Sequence, residues 1–118
     1  MFWKKLLGIS GENTAVKFLR ESGYKIIERN YRCKCGEIDI IAEEKGVLVF
    51  VEVKTIATDK AETAFDTIDS KKKEHISRAA EHYLRAKRKE DCLSRFDAIA
   101  IKYKNGKEAE VELIKGAF

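Results

Sequence analysis

Two short runs carry side chains whose types and spacing suit metal chemistry on phosphate: Gly36-Glu37-Ile38-Asp39 and, further along, Val51-Glu52-Val53-Lys54. Carboxylates are hard oxygen ligands, and Mg²⁺ takes one or two of them while keeping waters and substrate phosphate oxygens in its other positions. Such a cation lowers the pKa of a bound water and offsets charge building on phosphorus. Residues two apart on a strand share a face, so Lys54 beside Glu52 could orient or deprotonate that water and stabilise the transition state as a point charge. Together these are the requirements of phosphodiester hydrolysis. The plainer alternative is an ordinary cross-strand charge set formed by Glu37, Asp39, Glu52 and Lys54. What separates the two is location, because these charges interrupt the apolar alternation of a strand that reads as central.

The strand in question is Val47 to Thr55. Val47, Val49, Val51 and Val53 alternate with Leu48, Phe50, Glu52 and Lys54, so both faces are apolar until one turns charged at its end. Glu37 to Ala42 reads as the preceding strand, joined through the short polar turn Glu43-Glu44-Lys45-Gly46 in an antiparallel hairpin. An even loop such as Glu44-Lys45 sets position 39 opposite 50 and 37 opposite 52. Asp39 is then a diagonal neighbour of Glu52, roughly 7–8 Å away between backbones. An odd loop would send the two to opposite faces. Carboxylates crowded on a half-buried strand repel one another and lose solvation, and a hard divalent cation relieves both penalties.

Other elements must hold this hairpin. Ser10 is the expected cap of a helix running through Glu21, with Ala15, Val16 and Leu19 at helical spacing and Ser22-Gly23 as the stop. Tyr24 to Arg32 has strand composition. Ile56 to Thr67 shows no period and reads as a loop. Asp69 or Ser70 then caps a long helix whose apolar stripe is Ile76, Ala79, Ala80, Tyr83 and Leu84. Phe96 to Tyr103 and Ala109 to Ile114 are strands joined around Asn105-Gly106, a strong hairpin signal. The order αβββαββ, with a helix between the third and fourth strands, suits a crossover to a parallel neighbour. An α/β fold follows, a mixed sheet flanked by helices, and 118 residues fit a single domain spanning 1–118.

The net charge of +4 is concentrated. Residues 71–89 carry a net +6, whereas the segments before and after each carry −1. Such a basic helix suits a phosphate-tracking surface, the alternative being a solvated helix face. Lys72 falls near the inward stripe and could hold a scissile phosphate, while Lys71 points elsewhere. Lys72, Lys73 and Arg78 on this helix, with Arg32 ahead of the first carboxylates, are the candidate nucleic-acid contacts. Glu12 lies on the side of Ala15, Val16 and Leu19, where it either joins the metal shell or is a carboxylate favoured by the helix dipole. His75 and His82 read as surface or helix-packing residues. Cys33, Cys35 and Cys92 suit reduced thiols, since Cys33-x-Cys35 is too close for ordinary disulfide geometry. No stretch approaches the roughly 20 apolar residues of a membrane span, and no secretory segment is evident, so the cytoplasm is the expected compartment and a membrane is not an expected partner.

These residues resemble the YraN family of small bacterial proteins, classed as endonuclease-like and related in fold to Holliday-junction resolvases. The resemblance covers nearly the whole chain: Gly11-Glu12 with Ala15, Arg29-Asn30-Tyr31-Arg32, Gly36-Glu37-Ile38-Asp39-Ile40-Ile41-Ala42, Phe50-Val51-Glu52-Val53-Lys54, Lys72, Ala79-Ala80 with Tyr83-Leu84, Arg95-Phe96-Asp97, and Ile114-Lys115-Gly116-Ala117-Phe118. It implies a restriction-endonuclease-like core of the PD-(D/E)xK type, with Asp39 and Glu52 as metal ligands, Lys54 as the catalytic lysine and Glu12 as the helix carboxylate that completes the shell. The implied cofactor is Mg²⁺ or Mn²⁺, and the implied substrate is structured or branched DNA. The chain departs from the pattern in two places: Ile38 stands where the motif has its proline, and Ile56 stands where many relatives carry arginine. A resolvase-like role would suit a homodimer, whose two-fold axis matches paired strands. The alternatives are a catalytically silent nucleic-acid-binding protein of the same fold and a protein-interaction adaptor.

Overall fold

The computed structural model describes the backbone of residues 2–56, 70–104 and 107–118, and the side chains of residues 11–56, 70–103 and 110–118. The element order is α1 (Phe2–Glu21), β1 (Lys25–Cys33), β2 (Gly36–Glu44), β3 (Val47–Ile56), α2 (Ser70–Ala86), β4 (Ser94–Lys104) and β5 (Lys107–Ile114). This is the expected αβββαββ succession. The five strands form one sheet in the order β1-β2-β3-β4-β5, with β3 and β4 parallel and every other neighbouring pair antiparallel. The mixed α/β arrangement is consistent with a restriction-endonuclease-like core. Among the described residues no helix is long and apolar enough to cross a membrane. The expected loop from Ile56 to Thr67 falls almost wholly outside the described residues. So do the Asn105-Gly106 turn and the proposed cap at Asp69.

Alternation along β3 divides the core in two. Val49 and Val51 join Ile40, Ala42, Ile99 and Ile101 under Ala15, Val16 and Leu19 of α1. Leu48 and Phe50 face the other way, with Ile38 and Ile41, against Ile76, Ala79, Ala80 and Tyr83 of α2. The two helices therefore cover opposite faces. Phe50 and Tyr31 both meet Tyr83 edge-on, at centroid distances of 5.9 and 5.1 Å, an arrangement that aromatic quadrupoles favour.

Helix α1 ends as its sequence predicts. Tyr24 N donates to Leu19 O and Gly23 N to Arg20 O, with Gly23 at φ 94°, the double bond of a Schellman cap. Its start differs from expectation. Ser10 is not a cap, because the helix already begins at Phe2. The residues ahead of Ser10 include good helix formers, such as Lys4, Lys5, Leu6 and Leu7, which propensity alone allows to continue the helix.

The hairpin register also differs. The turn is Lys45-Gly46, both with positive φ (50° and 79°), as a two-residue hairpin of primed type requires. Glu44 thus pairs with Val47 and Ile40 with Val51. The loop is even, as the same-face placement needs. It is centred one residue later than the Glu44-Lys45 example, so Asp39 falls directly opposite Glu52 rather than diagonal to it.

The cysteine expectation is corrected. Cys33 pairs with Gly36 at the β1–β2 turn, and this reversal brings the Cα atoms of Cys33 and Cys35 to 5.4 Å, inside the span a disulfide needs, and the two sulfurs are bonded. The objection from sequence spacing holds for an extended chain and not for a tight turn. Cys92 is free and exposed.

Candidate functional site

Glu52 continues the row of Leu48 and Phe50 on the α2 face, toward the carboxyl end of the parallel β3–β4 pair, where open α/β sheets place their ligands. It is 7% exposed. Asp39, part-buried beside it, is held by the backbone: Val53 N donates to its Oδ2 at 2.8 Å. The two carboxyls lie within hydrogen-bonding reach of each other. A cavity of about 320 Å³ opens onto them, lined by Gly36, Glu37, Asp39, Glu52, Lys72, His75 and Ile76.

The electrostatics follow from this crowding. Burial, then the charge of Asp39, raises the Glu52 carboxyl to about 7. Burial likewise raises Asp39, against the Val53 N–H and the Lys72 charge, which both lower it. Glu12 is raised as well, by burial first and by Asp39 second. A carboxylate at a helix start would be explained by the dipole, but α1 begins ten residues earlier and that explanation falls away. Instead Glu12 Oε1 is buried and makes no hydrogen bond. Such an atom is costly unless a cation or water meets it. Gly11 marks how close Glu12 comes: an added Cβ there would overlap the Thr55 Cγ2 methyl of β3, which would have to turn aside.

The predicted set is brought together in part. Asp39, Glu52 and Lys72 share the cavity, with the Lys72 ammonium 2.5 Å from Glu52 Oε1. Lys54 follows Glu52 on the same face of β3 and is half-buried, level with Ala100 of β4. Glu12 is near enough to feel Asp39, yet among the described residues no three His, Cys, Asp or Glu side chains are gathered tightly enough to hold one ion. The donor chemistry fits a hard cation that takes two carboxylates and fills its other positions with water and phosphate oxygens. Arg32 lies near Glu37 at 3.6 Å, and Arg78 pairs with Glu74 one turn back on α2. Lys73 turns away, its ammonium 5.8 Å from the centre of the Phe118 ring. His82 bonds the Tyr31 hydroxyl, and His75 contributes to the cavity wall.

A family model described as "Uncharacterised protein family UPF0102" matches residues 11–101, which include Glu12, Asp39, Glu52, Lys54 and Lys72. The chain belongs to the UPF0102 family. This is the YraN family named by the sequence resemblance. Among its UPF0102 relatives, a protein of Caldicellulosiruptor saccharolyticus is 44% identical over 98% of both chains. One from Geotalea daltonii is 47% identical over 97% of this chain and 90% of its own. A third, from Desulfitobacterium hafniense, is 40% identical over 96% of each.

A second charged cluster in this UPF0102 chain gathers Arg95, Asp97, Lys115 and Gly116, which the sequence reading named as carriers of the resemblance but gave no role. Asp97 is wholly buried on the α1 face of β4. It accepts from the Tyr24 hydroxyl at 2.8 Å, from Arg95 Nε at 2.9 Å and from Gly116 N at 3.0 Å. Arg95 also reaches Glu44, which Lys115 grips through both oxygens. These two cations hold the Glu44 carboxyl below its usual range. The available signal was the one that exposed Glu52: a lone acid inside an apolar strand, here Phe96-Asp97-Ala98-Ile99. Every lone pair that matters in this cluster is answered by a donor within the chain, so its role is to tie elements together.

Proposed function

We propose that this chain is a magnesium- or manganese-dependent phosphodiesterase acting on structured or branched DNA. The observation that carries this reading is the buried Glu52 beside the part-buried Asp39, two mutually repelling carboxylates at the carboxyl end of the central strands, facing a cavity that Lys72 also lines. Asp39 and Glu52 would hold the cation, and Glu12, with its unanswered Oε1, would accept a hydrogen bond from a water in its shell. When bound, the cation supplies an acidified water and offsets charge at phosphorus. Val53 N–H fixes one Asp39 oxygen and so orients the other toward the cavity. Lys54 stabilises charge developing on the phosphate oxygens, and the half-buried position of its stem limits its freedom.

The test is incubation with a four-way junction, a flap and a plain duplex in Mg²⁺ or Mn²⁺. Cleavage is expected, abolished by Asp39→Ala and by Glu52→Ala and reduced about 100-fold or more by Lys54→Met. Cleavage that survives both carboxylate substitutions would belong to another protein or another site. One observation favours a second reading, a nucleic-acid-binding protein without turnover: the Lys72 ammonium already answers the Glu52 charge. That reading expects DNA binding that persists in EDTA and falls steeply with salt.

A further inference from the structure

A carboxylate as buried as Glu52 cannot stand alone in its charged form, because lost solvation must be offset by a partner. Its partner is Lys72, whose side chain is 40% exposed although its ammonium touches a residue that is 7% exposed. The lysine thus reaches the buried carboxylate with its ammonium while much of its stem stays at the surface. It sits in the first turn of α2, on the rim of the cavity that Asp39 and Glu52 floor. Its charge also reaches Asp39.

The charges of the site are informative. Glu37 on the cavity wall is paired with Arg32, so the count concerns Asp39 and Glu52, and one ammonium against these two carboxylates leaves a residual negative charge. A divalent cation in its place leaves none. Both together leave an excess positive charge in a half-buried cavity, which only an incoming anion balances. We propose that Lys72 is the resident counter-ion of the Asp39–Glu52 pair, displaced from Glu52 by a divalent cation and thereby made available to a phosphodiester oxygen at the same cavity. This rests on the cation-binding reading above and goes beyond it, since it makes the cation and the phosphodiester arrive cooperatively. By linkage, each raises the affinity of the site for the other. Lys72 is then a positioning residue in the empty state and a substrate contact in the loaded one.

The experiment is Mn²⁺ titration calorimetry at pH 8 on the wild type and on Lys72→Met, joined to acetylation of lysines with acetic anhydride read by mass spectrometry. Lys72→Met is expected to bind Mn²⁺ about tenfold more tightly than the wild type, because its competitor is gone. Acetylation of Lys72 in the wild type is expected to rise when Mn²⁺ is added and to stay unchanged in Asp39→Asn. Binding by Lys72→Met alone, with none in the wild type, also supports the exchange. Equal or weaker binding by the variant, or Lys72 labelling indifferent to Mn²⁺ in a wild type that binds it, overturns the exchange and leaves the cation reading standing. Absence of binding in both proteins overturns the two together. The labelling arm uses the wild type, so the exchange remains falsifiable even where the variant folds poorly.

Discussion

At the scale of residues, the decisive feature is that Asp39 and Glu52 are placed where charge is unwelcome. Glu52 titrates at about 7 in the folded chain and near the ordinary carboxylate range when unfolded. Between those values the folded state holds a proton that the unfolded state has released. Stability is therefore greatest below the unfolded value and declines as pH rises toward 7. The cation-free protein is expected to melt several degrees higher at pH 5.5 than at pH 8. Asp39→Asn removes the repulsion and keeps an acceptor for Val53 N–H, so it should raise stability at pH 8 by about 1–2 kcal/mol and flatten the profile, at the expense of any turnover. Calorimetric melts of both proteins in EDTA across that range check it. A profile that rises with pH instead would mean that the Lys72 pair outweighs desolvation. Added Mg²⁺ should stabilise more at pH 8 than at pH 5.5, because protons compete for the same oxygens.

At the scale of elements, two backbone positions decide how well the frame holds. Gly36 sits where the β1–β2 turn meets α2, and an added Cβ would lie 2.6 Å from His75 O, a backbone atom that cannot step aside. Gly36→Ala should cost about 1–3 kcal/mol in urea unfolding, and it should lower cation affinity because Glu37 and Asp39 move with the turn. Arg88 closes α2 in a left-handed conformation, φ 55°, with Lys89 N donating to Leu84 O. Glycine is at ease there, so Arg88→Gly should gain about 0.5–1 kcal/mol, read as a rise in the urea midpoint at unchanged slope. The carboxylate motif was legible because strand parity is a property of sequence alone: Glu52 and Lys54 must share a face. The pairing of Asp39 with Glu52 was not, since it depends on which two residues make the turn, and Glu44 and Gly46 are both reasonable occupants of it. The disulfide was illegible for the same reason, hidden in the path of a turn. The early start of α1 was missed because a serine before an apolar run looks like a cap whether or not the helix has already begun.

At the scale of the molecule, the Asp97 cluster joins regions distant in sequence: the end of α1 through Tyr24, the end of β2 through Glu44, the start of β4 through Arg95 and the last strand's exit through Lys115 and Gly116. Asp97→Ala removes the acceptor of the Tyr24 hydroxyl and of Gly116 N and leaves Arg95 with Glu44 alone among carboxylates, and should destabilise by about 2–3 kcal/mol in denaturant titration. Asp97→Asn, which keeps the shape and one of the two acceptor oxygens, should cost less. The Lys72–Glu52 contact belongs to this scale as well. It requires the crossover from β3 through α2 to β4, so no local window of sequence contains it.

The two-residue Lys45-Gly46 turn has a temporal consequence. Asp39 and Glu52 are brought opposite one another by a short hairpin, the sort of contact that forms in microseconds with little loop-closure cost. Lys72 belongs to α2, which packs chiefly on β2 and is far from the hairpin turn in sequence, so its docking closes a longer loop. During folding the two acids are thus assembled before the lysine that answers them. A nascent chain at neutral pH would pass through a stage in which Lys54 of the same hairpin, a free divalent cation or a proton must supply the counter-charge that Lys72 later gives.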